Sequence, residues 1–340
     1  MKICRGCVLP DSFPGSAIDA SGLCALCRRG RSREDDRAVR ERLARRFEVL
    51  AALMRERPGA QCLMAYSGGK DSTYTLMLLR RQYGLRVLAV TFDNGFLSPA
   101  AFENARRVVE ALDAEHLVVK PRIGFLRALF AEVAVRNPFP AKALERASPV
   151  CNACMGLAKG VFLRLALERR IPLLAYGWSP GQAPARAGLF RLNAAMIAEM
   201  QESRLAPLAA AAGAAGLDSG ELAGFSLAGL SPADEADWPY SVNPLSFGEY
   251  DERRIVEEIR DLGWRPPGDT DGNSTNCRLN LLANRLHLRQ FGFHPYAFEI
   301  AGLVRDGFMS REEGLAKLDD LGGRDRADEV AAQLGLETPP

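Results

Sequence analysis

Four short apolar runs punctuate the first 180 positions: "QCLMAYS" from Gln61, "LRVLAVTFD" ending at Asp93, "AEHLVVKP" and "IPLLAYGWS". They are too short for buried helices and rich in Val, Ile and Leu, and so predict buried strands. Between them stand longer mixed stretches, "STYTLMLLRRQYG" ending at Gly84, "SPAAFENARRVVEALD" and "CMGLAKGVFLRLALERR", which predict helices. The β-α-β-α-β order argues an α/β fold with a doubly wound parallel sheet and right-handed crossovers. Ahead of it, residues 31–56 predict a helix whose Arg-rich first half reads as a solvated face, with RNA contact as the second reading. Residues 191–237 are Ala-rich and read as low-complexity helices, a lid or an interface, without assigned chemistry. Residues 238–340 form a helical C-terminal extension with its own polar motif, "DTDGNSTNCRLNLLANRLHLRQFGFHPYAFEIAGLVRDGFMSREEGLAKL". No internal repeat of ~20–50 residues is visible.

Composition adds little to this picture. With 340 residues, 47% hydrophobic and 25% charged, the chain has ample material for a core. A net charge of +2 neither suggests nucleic acid nor excludes a local basic face. The start, "MKICRGCVLPDS", lacks the apolar core of a secretory signal, and no apolar run is expected to reach the ~18–20 residues of a membrane helix. The expectation is a cytoplasmic enzyme without a membrane partner. There, eight cysteines point to metal or catalysis before disulfides.

The cysteines fall into two sets. Cys4-x-x-Cys7 and Cys24-x-x-Cys27 lie in the first 30 residues. Each pair can offer two thiolates to one tetrahedral ion, so the four predict a zinc ribbon holding Zn²⁺, with an iron–sulfur cluster or redox thiols as the other options. A closed Cys4 site is structural and can position a substrate or a partner in a homodimer. The second set is Cys151 and Cys154, at a helix start that favours thiolate, and the distant Cys277. Three readings stand: plain buried thiols, a second metal site such as a [4Fe–4S] cluster with one open iron, or a persulfide on Cys154 or Cys277. Cys62, in the first strand, reads as core.

Ser67-Gly68-Gly69-Lys70-Asp71-Ser72-Thr73 follows a predicted strand and opens a predicted helix. Two glycines allow a sharp turn and close approach of an anion, and the helix start offers N–H groups and the positive end of its dipole. Ser67, Ser72 and Thr73 add hydroxyls and Lys70 a cation. Asp71 suits a helix cap or Mg²⁺. The bland alternative is a capped strand-to-helix turn. In this context S-G-G-x-D-S resembles the PP-loop of the ATP pyrophosphatases, a HUP-like (adenine nucleotide α-hydrolase-like) family. The resemblance implies a nucleotide-binding domain over 61–190, after a ribbon at 1–30 and a linker helix at 31–60. It implies that ATP is split to pyrophosphate and AMP, with AMP activating an acceptor oxygen until nitrogen or sulfur displaces it. It carries the loop role onto Ser67, Gly68, Gly69, Asp71 and Ser72, with the Lys70 slot variable. It also implies an adenosine contact from Asp93, and Gly177 in "AYGWSPGQ" ends a strand at the edge where open α/β sheets bind ligands.

Knuckles, loop, Cys151/Cys154 and then Cys277 follow the order of PP-loop enzymes that thiolate transfer RNA. That resemblance implies a sulfur donor and an RNA or small-molecule acceptor. "CRGCVLPDSFPG" and "DASGLCALC" also resemble N-acetyl sugar amidotransferases, which imply glutamine-derived ammonia from a glutaminase subunit. A zinc-ribbon nucleic-acid-binding ATP sensor without turnover is the non-enzymatic alternative. Among other residues, Asn276, Asn280 and Asn284 fall at i, i+4 and i+8 near Arg278 and His287, lining a polar pocket or a water-facing helix. His116 reads as strand-edge structure, and His287 and His294 stay open. Trp178 and Gln182 read as loop structure or as a border of the acceptor site. Ser310 and Glu313 predict a capping box.

Overall fold

A computed structural model describes residues 2–30, 33–182, 184–232 and 234–338. A short helix, α1 (Ala25–Arg29), precedes α2 (Arg33–Arg55). Arg31 and Ser32, the first positions of the expected 31–56 helix, lie outside the described residues. α2 places Leu43, Phe47 and Ala51 on the core at a four-residue spacing, as an amphipathic helix should.

β1 (Cys62–Ala65) leads through the glycine loop into α3 (Lys70–Met77), which continues as a wider π-helical segment, Leu78–Gln82, to the Gly84 turn. β2 (Val87–Phe92), α4 (Pro99–Ala111) and β3 (Glu115–Val119) follow, then α5 (Ile123–Val135), α6 (Ala141–Leu144), α7 (Pro149–Glu168) and β4 (Leu173–Ala175). The Ala-rich stretch supplies α8 (Ala194–Met200), preceded by β5 (Leu189–Arg191), and α9 (Ala206–Ala214). β6 (Tyr240–Val242) lies inside the segment expected to be helical. It is followed by α10 (Glu252–Arg260), α11 (Leu279–Phe291), α12 (Ala297–Asp306), α13 (Arg311–Asp319) and α14 (Arg324–Leu334). The Ser310–Glu313 capping box opens α13.

The six strands run in the order β3-β2-β1-β4-β6-β5. All neighbours are parallel except β5 against β6, and Cys62 registers with Val87 on one side and Leu173 on the other. The sheet is therefore the expected doubly wound, mostly parallel one, with a four-cysteine N-terminal unit and a helical C-terminal part. Side chains of β1 alternate between two cores: Cys62 and Met64 face one, Leu63 the other. Cys62 is core, as its position suggested.

One expectation is corrected. α7 is long and apolar enough to cross a membrane by length and composition. Here it packs its buried face, including Val150, Leu157, Val161 and Leu163, into the second core.

Candidate active site at the carboxyl edge of the sheet

The chain leaves β1 toward β2 and β3, and the strands from β4 onward build the other side. The crevice at this reversal, beyond the carboxyl ends of β1 and β4, is where open α/β sheets bind ligands. The glycine loop lies there. Gly68 adopts a left-handed φ of 74°, and a Cβ on it would meet the Ala101 carbonyl oxygen at 2.2 Å. Gly177, just past β4, packs so tightly on α3 that a Cβ would sit 2.6 Å from Ser72 Cα. Both positions admit glycine alone without backbone movement.

Ser67 Oγ lies 3.1 Å from Ser72 Oγ, and Ser72 Oγ donates to the Gly69 carbonyl at 3.0 Å. Thr73 turns inward, 3.3 Å from the Tyr66 hydroxyl. Lys70 Nζ contacts Asp71 at 2.9 Å and the Tyr250 hydroxyl at 3.3 Å, and Tyr250 donates to Asp71 at 3.2 Å. Burial pulls the Lys70 ammonium down, but Asp71, Tyr250 and Glu252 outweigh it and hold it well above its ordinary value. The Lys70 backbone N–H donates to Thr275 Oγ1 at 2.9 Å, and Trp264 Nε1 donates to the Gly68 carbonyl at 3.0 Å. The C-terminal segment therefore forms part of the loop's wall. Thr275 was visible in the polar run, but Tyr250 and Trp264 carried no signal that tied them to residues some 180 positions earlier.

Asp93 ends the edge of β2, accepts from the Gly95 N–H at 2.9 Å and pairs with Lys120 at 3.1 Å. The next residue, Asn94, was passed over in the sequence. It is buried, accepts from the Phe96 N–H, and points its amide at Cys154 Sγ, 3.3 Å away, and Cys277 Sγ, 3.5 Å away. Cys277 arrives by backbone pairing: Leu97 and Cys277 form an antiparallel bridge, with Ser98 N donating to Asn276 O and Arg278 N to Phe96 O. Cys151, in the first turn of α7, donates to Asn280 Oδ1 at 2.9 Å, and Asn280 donates to the Tyr296 hydroxyl at 3.0 Å. The helix start was expected to favour thiolate at these positions. Instead burial dominates, pushing Cys151 up to about 12 and raising Cys154 and Cys277 as well. The three are soft sulfur donors, two of them around one amide, and the chemistry of this donor set suits a cluster or a thiophilic metal.

Cys4, Cys7, Cys24 and Cys27 place their four sulfurs within 4.8 Å of one another. Burial pushes Cys7 up to about 11. Burial also opposes ionisation of Cys4, yet N–H groups from Cys24, Gly6 and Cys7 bring it down to about 7. Four thiols at this spacing suit one tetrahedral ion.

The remaining candidates divide. His116 Nε2 lies 2.8 Å from Thr91 Oγ1, tying β3 to β2. Asn276 precedes α11, so it does not share a helical face with Asn280 and Asn284. Asn284 and His287 are fully buried, and no hydrogen-bond partner reaches their polar side-chain atoms among the described residues. Gln182 and Ser179 both donate to the half-buried Glu299 of α12. Trp178 stacks on Tyr176 with ring centroids 4.4 Å apart.

No protein-family model matches the sequence. An uncharacterized protein of Methanocaldococcus jannaschii is 25% identical over 272 residues, 80% of this chain and 77% of that one. Argininosuccinate synthase of Natronomonas pharaonis is 33% identical over 111 residues, and the match spans only 27% of its length. Among solved structures, the U34-tRNA thiolase NcsA from Methanococcus maripaludis with its [4Fe–4S] cluster is 18% identical, covering 78% of this chain and 74% of that one at a TM-score of 0.36. NMN synthetase from Francisella tularensis is 13% identical, covering 68% and 93% at a TM-score of 0.29. At those scores the likeness bears on neither substrate nor mechanism. The chain itself carries a glycine loop at the carboxyl edge of an open, mostly parallel sheet.

Proposed function

We propose that the protein is an ATP-dependent enzyme of the PP-loop pyrophosphatase type, which adenylylates an acceptor and then transfers sulfur to it. The observation that supports sulfur is the convergence of Cys151, Cys154 and Cys277 on the same sheet edge as the glycine loop, two of them sharing the Asn94 amide. ATP lies with its phosphates on the loop from Ser67 to Thr73, where the hydroxyls of Ser67 and Ser72 and the Lys70 charge balance the developing pyrophosphate. Asp71 would hold Mg²⁺, which neutralises charge on the phosphates. The acceptor oxygen attacks the α-phosphorus and pyrophosphate leaves. A sulfur nucleophile then attacks the activated carbon, the carbon–oxygen bond breaks and AMP departs. When bound by Cys151, Cys154 and Cys277, a [4Fe–4S] cluster would supply an iron with an open position for sulfur. Asn94 orients two of those thiols, and Asp93 with Gly177 borders the adenosine. Catalysis rests mainly on positioning and charge stabilisation. Cys4, Cys7, Cys24 and Cys27 hold Zn²⁺ structurally.

The test is anaerobic purification with iron, sulfide and zinc counted per chain, for wild type and for Cys151→Ala/Cys154→Ala. About one zinc and about three to four irons are expected, with iron alone lost in the variant. A protein that takes up no iron under any reconstitution condition overturns the cluster and leaves a persulfide as the route for sulfur. Glutamine-dependent activity on N-acetyl sugars would then establish the amidotransferase. Absence of pyrophosphate release with any acceptor would leave an ATP-sensing module.

A further inference from the structure

Beside the cysteine recess, α7 and the segment after α8 bring two cations together without an acid. Lys159 is half-buried on α7, with Nζ 4.6 Å from the centre of the Trp178 ring and 5.9 Å from that of Tyr176. Arg204 comes from the π-helical segment Gln201–Leu205 and packs against α7 at Gly156, one turn before Lys159, where a Cβ would lie 3.6 Å from Arg204 Cβ. Its guanidinium donates to the Asn152 amide oxygen at 3.3 Å. Among the described residues neither cation takes part in an ion pair, whereas Lys70 and Lys317, the other enclosed lysines, both do.

Two like charges withdrawn from water repel each other, and the ring faces and the Asn152 amide offset only part of a desolvation cost that an anion would offset more fully. In its absence the lysine can relieve the cost by losing its proton. Burial first, and the Arg204 charge second, bring the Lys159 amine down to about 7. The aromatic faces of Trp178 and Tyr176 fix the lysine head at the mouth of the crevice, since Trp178 follows directly on Gly177, which packs against the glycine loop. The Ala-rich segment thereby acquires a function: it supplies the second cation.

We infer that Lys159 and Arg204 form an oxyanion subsite that grips a phosphate group of the acceptor, next to the nucleotide loop. This rests on the adenylylating reading above for the word acceptor, but the subsite itself is testable without turnover. Inorganic phosphate is the probe. Acylation of the Lys159 amine by acetic anhydride at pH 8 is followed by peptide mass spectrometry in the metal-loaded full chain, with every other lysine as an internal control. Three conditions are compared: free protein, protein saturated with a non-hydrolysable ATP analogue and Mg²⁺, and the latter with phosphate added. Lys159 is expected to react readily in the first two and at least tenfold more slowly in the third, because a bound anion keeps the amine protonated. The protection should vanish in Arg204→Met and survive in Arg204→Lys. Protection by the ATP analogue alone would overturn the assignment to the acceptor and give the pair to ATP's own phosphates. Absence of protection at any phosphate concentration, with Arg204→Met as stable as wild type, would overturn the subsite and leave Lys159 a neutral packing lysine. Neither result depends on whether sulfur or ammonia is transferred.

Discussion

Asn94 is the residue on which the cysteine recess depends. Its amide oxygen holds the turn after β2, and its N–H group serves Cys154 and Cys277 at once. A hydrogen bond to a charged acceptor is worth about 1.5–3 kcal/mol, so the amide favours the thiolate over the thiol by roughly that amount. Asn94→Asp keeps the acceptor and removes the donor. Alkylation of Cys277 by iodoacetamide in the metal-free protein at pH 8 should slow about tenfold, since about 1.4 kcal/mol is one decade in thiolate population. An unchanged rate would show that the amide merely packs there. His287 makes a different prediction. Burial, with His294 nearby, brings its imidazole down to about 3, below the ordinary 6.5. The unfolded chain therefore takes up a proton that the folded chain refuses. The stability present above pH 6.5 is lost as pH falls from there toward 3, at about 1.4 kcal/mol per pH unit. His287→Leu should flatten the pH dependence of urea stability between pH 6.5 and 5 by about that slope, and equal slopes in both proteins would contradict it.

Between elements, the tightest fit is the turn after β4 against the start of α3. Gly177→Ala puts a methyl 2.6 Å from Ser72 Cα, and this neighbour is backbone that cannot swing aside. The cost should be about 1–3 kcal/mol, read as a lower urea midpoint. Because α3 carries Asp71, Ser72 and Thr73, displacement should also weaken ATP at least tenfold by equilibrium titration. Destabilisation with unaltered ATP affinity would place the nucleotide away from this junction. The same elements show what the sequence could express. The four strands and the helices α3, α4 and α7 between 61 and 175 were legible because each is local and its period unambiguous, whereas α5 and α6 were not read. β6 was not: "YSV" is three residues long, and only its neighbours β4 and β5 make it a strand. The glycine loop was legible because its glycines, hydroxyls and charges follow one another in a single turn. Asn94, Tyr250 and Trp264 were hidden because their roles exist only through partners 60 to 196 positions away. Lys159 was hidden because an apolar helix gives no hint of which neighbours its one enclosed lysine will meet.

The whole molecule is closed by contacts between its two ends. Arg311 of α13 donates to the carbonyls of Cys4 and Cys7, Ser12 donates to the Gly292 carbonyl, and Phe13 packs edge-on to Phe293 with centroids 5.1 Å apart. The C-terminal helices so anchored are continuous with the segment that supplies Thr275 to the loop and Cys277 to the recess. A metal on the four N-terminal sulfurs would thus support the site at a distance. Without an ion those thiols cannot all ionise within 4.8 Å of each other, so metal uptake expels protons and weakens as pH falls. Stripping the metal with a chelator at pH 7 should lower Tm by about 5 °C, the equivalent of roughly 3–4 kcal/mol in a chain of this size. Proteolysis should then cut first within residues 1–30 and next within α12 and α13, which lose the surface they dock on. ATP affinity should change less than cysteine accessibility, because the glycine loop is held by β1 and β4 while Cys277 is held by the C-terminal segment. If the stripped protein melts as before and protects Cys277 as before, the ribbon is an appendage, and the coupling between the two ends is structural coincidence.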